Sequence, residues 1–92
     1  MIMVFHNPTL EFRFPRTSTK IQDCTLVAAV DTDDFDEAFT KTQHLEDAWW
    51  KNQGVQLVGM PTHRSTMVGD ILMNAKGERV MIDCFGFVPL EK

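Results

Sequence analysis

The chain has 92 residues, 43% of them apolar, with seven Phe, two Trp and a net charge of −4, which supplies one core but not two. Such a composition excludes a disordered chain, which would be poorer in apolar residues and richer in charge. No apolar run nears the roughly 20 residues needed to cross a bilayer, and MIMVF is too short and lacks the basic lead of a signal peptide, so a single cytoplasmic domain over residues 1–92 is expected.

In chain order, Ile2 to Phe5 reads as a short strand, and Leu10, Phe12 and Phe14 alternate with Glu11 and Arg13 at the period of a half-buried strand. Asn7-Pro8 between them signals a turn, so an N-terminal hairpin extension is expected over residues 1–20, closed by Pro15 and a polar loop. Cys24 to Val30 is continuously apolar with β-branched members and only seven residues long, the pattern of a central strand. The period then changes. Phe35, Ala38, Phe39 and Thr42 fall at i, i+3, i+4 and i+7, with Leu45 extending the stripe, which predicts an amphipathic helix capped by Thr32 or Asp33.

Ala48 and Trp49 continue that helix or form a short second one, ended by Asn52-Gln53-Gly54. Val55 to Met60 is the next expected strand, Thr62 to Thr66 a loop, and Val68 onward a further strand. Asn74-Ala75-Lys76-Gly77 has the chemistry of a hairpin loop leading into a strand over Glu78 to Phe85, with Gly86 marking a bulge that lets Phe85 and Phe87 both reach apolar surroundings. Runs of strands, without strict alternation of strand and helix, predict an α+β fold: a mostly antiparallel sheet with one main helix on one face.

The residues hold no catalytic pattern. His6, His44 and His63 are scattered, and Cys24 and Cys84 stand outside any C-x-x-C spacing, so no metal is expected and the thiols read as reduced and buried. His63-Arg64-Ser65-Thr66 sets a base near two hydroxyls without a nucleophile elbow or a third member, and the five glycines stand singly, far from either phosphate-binding motif. The expectation is a protein that is not an enzyme and carries no cofactor.

Charge is informative by position. Between Asp31 and Asp47 seven acids face Lys41 alone, a local net of −6, whereas the first twenty residues carry +2. Asp33, Asp34, Asp36 and Glu37 at a helix start suit the helix dipole, and they equally form a negative stripe able to enter a basic groove that normally holds nucleic acid. Arg13, Arg16 and Lys20 beside Phe12 and Phe14 are either solvated strand residues or a small nucleic-acid contact. Adjacent Trp49 and Trp50 point about 100° apart on a helix, so Trp50 lies toward the rim, as an interface anchor or as a lid on the sheet edge.

From Cys24 to Leu90 the order of strand, helix, Trp pair, RSTMVGD, hairpin and closing GF resembles the small YodL-like domains found in proteins of phages and plasmids. The pattern falls on Phe39, Thr42, Trp49, Trp50, Arg64, Ser65, Thr66, Val68, Gly69, Asp70, Gly86 and Phe87, with Met67 where the family often has a small hydroxyl residue. The residues themselves suggest structural uses: Gly69 for a turn, Asp70 to accept backbone N–H groups from the RST loop, Phe87 for the core. The resemblance implies a mobile-element setting in a bacterial host cell. By type, a compact acidic protein of this kind is similar to phage inhibitors of host defence, anti-CRISPR proteins included. The expected partner is a host protein or nucleoprotein complex such as a CRISPR effector complex, with nucleic acid in it as a further contact and no membrane or small-molecule substrate. The expected contact residues are Arg13, Arg16, Asp33, Asp34, Trp50 and Arg64. The alternatives are a structural or regulatory interaction module of a mobile element, and a weak nucleic-acid-binding domain.

Overall fold

The computed structural model describes residues 1–7, 24–43, 48–59, 65–83 and 86–90. Among them are strands β1 (Ile2–His6), β2 (Thr25–Val30), β3 (Val55–Leu57), β4 (Ile71–Met73), β5 (Arg79–Asp83) and β6 (Gly86–Leu90), helix α1 (Phe35–Lys41) and a 3-10 turn at Trp49–Lys51. The strands form one antiparallel sheet of order β3-β2-β1-β4-β5-β6. The α+β class read from the sequence is the class of the structure.

β1 is a central strand, hydrogen-bonded to β2 on one side and β4 on the other. The expected hairpin partner of β1, Leu10 to Phe14, lies outside the described residues. Along β1 burial alternates strictly: Ile2, Val4 and His6 are buried while Met3 and Phe5 are half-buried. A row of facing residues runs across the sheet through Leu57, Ala28, Val4, Leu72 and Val80, and this is the face on which Ala38, Phe35 and Phe39 of α1 and Trp49 of the 3-10 turn complete the core. The opposite face carries Ala29, Ile71 and Met81, which are also buried. Burial on both faces is why the sequence of β2 is continuously apolar instead of alternating. A bulge adds to this: Val4 faces Ala28 but Phe5 faces Leu26, so β2 has one extra residue, Val27, and both Val27 and Ala28 enter the core.

Two expectations are corrected. The helix cap is neither Thr32 nor Asp33 but Asp34, whose carboxylate accepts the N–H of Asp36 at 2.9 Å, while the Thr32 hydroxyl accepts the N–H of Asp34 at 3.1 Å. Two polar side chains in succession thus satisfy the entry, and the cap moves one residue inward. Gly86 does not mark a bulge in one long strand. It opens β6, where it is the antiparallel partner of Asp83, and its φ of +135° is a conformation that side-chain-bearing residues avoid. The pairing of β6 with β5 sets Phe87 opposite Ile82 and within ring contact of Phe35 and Phe39, at centroid distances of 6.1 and 6.3 Å.

The β4–β5 hairpin forms as its loop chemistry predicts. Asn74 Oδ1 accepts the N–H groups of Lys76 and Glu78 at 3.0 and 2.9 Å, and Gly77 N–H returns to the Asn74 carbonyl at 3.0 Å. On β6, Pro89 faces Val80. Ile82 exchanges its hydrogen bonds with the Gly69–Asp70 side, donating to Asp70 O and accepting from Gly69 N, both at 2.9 Å. Ile82 and Val80, two residues apart, therefore spend their backbone groups on β4, and their partners Phe87 and Pro89 turn theirs outward. A proline with no N–H sits where it forfeits nothing and blunts an edge.

Candidate functional site

Asp31, Asp33, Asp34, Asp36 and Glu37 are all exposed, across the turn after β2 and the start of α1. The helix turns Ala38 fully into the core, with Phe35 and Phe39 half-buried against it, so its acids are left on the solvent side. Among the described residues the cation paired with this set is the amino group of Met1, 3.0 Å from Asp33 Oδ1, with both groups largely in solvent. An ion pair so exposed neutralises little of the surrounding field. Lys41, at the far end of α1, instead donates to the carbonyl of Gln53 at 2.9 Å.

Of the expected contact residues, Asp33 and Asp34 therefore share one exposed surface, with Asp34 also serving the helix start. Trp50 is half-buried, packed on the core and in edge-to-face contact with Trp49 at 5.5 Å, while Trp49 is fully buried. The turn carrying them is 3-10 in form, yet it separates the two rings as the sequence reading expected, one inward and one at the rim. Arg13, Arg16 and Arg64 lie outside the described residues.

The RSTMVGD segment has a different role. Asp70 is fully buried, its Oδ1 accepting Asn7 N–H and its Oδ2 accepting Met67 N–H, both at 2.8 Å. Thr66 is also buried. Its hydroxyl lies 2.9 Å from His6 Nε2, its N–H donates to Thr42 O at 3.0 Å, and its carbonyl accepts from Gln43 Nε2 at 2.7 Å. His6 Nε2 is 3.8 Å from Asp70 Oδ2, and its ring lies 5.9 Å from that of Trp49. Thr42, Trp49, Thr66 and Asp70, four residues of the segmental pattern, thus converge with His6 into one buried polar clasp that ties the end of β1 to the end of α1 and the approach to β4.

His6 meets the hydroxyl of Thr66 and the carboxylate of Asp70 through the same ring nitrogen, Nε2. His6, Thr42, Trp49, Thr66 and Asp70 are all buried. Sequence reasoning set His6 aside as scattered; the available signal was parity, since His6 shares the face of Ile2 and Val4. Among the described residues no group of His, Cys, Asp and Glu is arranged to hold a metal ion, and no helix is long and apolar enough to cross a membrane. No family model, curated protein or solved structure shows a significant match to this chain.

Proposed function

We propose that this chain is a stoichiometric binding protein of a mobile element that inhibits a host defence nucleoprotein complex, with the acidic surface around the start of α1 occupying a basic site that otherwise holds nucleic acid. The observation that carries the reading is the exposure of Asp31, Asp33, Asp34, Asp36 and Glu37 along the turn after β2 and the start of α1, of which Asp33 is paired with the Met1 amine. A dense, fixed array of carboxylates presents negative charge much as a phosphate backbone does, and it steers encounter with a cationic groove. Trp50 at the rim supplies an aromatic anchor of the kind that concentrates binding energy. The resemblance to YodL-like domains supplies the mobile-element setting, and the likeness in type to phage inhibitors of host defence supplies a bacterial cytoplasm and a CRISPR effector complex as the expected target.

The test is capture from a bacterial lysate that contains CRISPR effector complexes, followed by affinity measurement on the purified target. Recovery of the complex is expected, with affinity falling about ten-fold or more between 50 and 200 mM salt. The variant Asp33→Asn/Asp34→Asn/Asp36→Asn/Glu37→Gln is expected to weaken binding by a similar factor. Affinity that is flat across that salt range would sink the charge-led reading.

A further inference from the structure

On the side of the sheet away from α1, the pairings Ala29–Met3, Met3–Met73, Met73–Arg79 and Arg79–Leu90 set a row of facing residues across five strands. Arg79 is its one charge. Met73 and Leu90, directly opposite Arg79 on either hand, stand about 4.5–5.5 Å from it between Cβ atoms. Met3, Met73, Arg79 and Leu90 are half-buried, so this part of the row reaches the surface.

The guanidinium finds no acceptor in the fold. Arg79 Nε is buried and has no hydrogen-bond partner, and among the described residues no carboxylate lies within ion-pair distance of it. The acids nearest it along β5 do not serve. Glu78 accepts from Asn74 Nδ2 at 3.0 Å, and Asp83 lies four residues on, about 13 Å along the strand. An arginine that only lays its stem over apolar surface keeps its nitrogens in water, whereas here one of them is buried. A buried donor left unpaired costs stability, and a methionine at this position would fill the row without that cost.

An orphaned guanidinium among apolar side chains calls for an acceptor from outside the chain. It is planar and weakly hydrated, and it grips a carboxylate with two parallel N–H groups. A group that reaches it also covers Met3, Met73 and Leu90, whose apolar surface favours a carboxylate held between apolar side chains over a strongly hydrated phosphate.

We propose that Arg79, with Met3, Met73 and Leu90 around it, is a second docking site, which receives an aspartate or glutamate flanked by apolar side chains on a partner protein. It lies on the face opposite α1 and stands independently of the acidic surface, so either can fail without the other.

The test uses the full isotope-labelled chain and three probes: the blocked tripeptide leucine-glutamate-leucine, its glutamine counterpart, and an oligothymidylate. The glutamate peptide is expected to shift the Arg79 Nε–H resonance and the methyl resonances of Met3 and Met73, and the glutamine peptide to bind about ten-fold more weakly. Arg79→Met is expected to lose this preference while its urea midpoint stays at or above the parent value. A lower midpoint assigns the guanidinium to the fold and overturns the proposal. Equal affinity for the two peptides, or no binding by either, also overturns it. Larger shifts at Arg79 with the oligothymidylate than with the glutamate peptide overturn it in favour of a phosphate contact.

Discussion

Asp70 illustrates how a residue with the marks of a functional site can serve closure of the fold. Its carboxylate is fully buried and answers two backbone N–H groups, one from its own loop and one from Asn7 at the end of β1. Removing it strands both donors. Asp70→Ala is expected to lower stability by about 2–4 kcal/mol, and Thr66→Val, which takes one partner from His6 Nε2, by about 1–2 kcal/mol. Both are read from urea midpoints at constant slope. Because these side chains are sealed, target affinity per folded molecule is expected to stay at its parent value in both variants. Acceptance by the carboxylate of a loop N–H was expected from the RST residues, and the donor is Met67, the next residue along. That the other oxygen reaches Asn7, sixty-three residues away in the chain, was not, because nothing local links those residues.

At the scale of elements, legibility tracks how local the determining interaction is. The Asn74–Gly77 loop is held by bonds within five residues and forms as read. The helix was visible in its stripe, but its cap was misplaced by a residue because Thr32, Asp33 and Asp34 offer similar chemistry and only the backbone path selects among them. Asp34→Ala is expected to cost about 1 kcal/mol in thermal or denaturant unfolding, and Asp33→Ala, whose partner is an exposed amine, to stay within about 0.5 kcal/mol of the parent. Gly86 was recognised as a special backbone position. Whether such a glycine bends one strand or opens a new one depends on the tertiary partner offered to Phe87, here the rings of Phe35 and Phe39.

At the scale of the whole molecule, the first strand matters most. The opening residues read as part of a peripheral hairpin, yet β1 joins β2 to β4, with Met3 facing both Ala29 and Met73. Deleting residues 1–6 removes two fully buried core side chains, Ile2 and Val4, and divides the ladder into two pieces. The shortened chain is expected to show no cooperative transition by circular dichroism, whereas loss of a peripheral hairpin would leave one.

Composition, periodicity and turn chemistry by themselves determined that the chain folds, that it is α+β with a mostly antiparallel sheet, where its main helix and hairpin lie, and that acidic charge gathers at the helix start, because each of these follows from interactions among near neighbours. Strand order, the buried clasp around His6 and Asp70, and the blunted β6 edge were decided only in three dimensions. They depend on pairings such as Met3 with Met73, in which distant segments select each other by shape and hydrogen bonding.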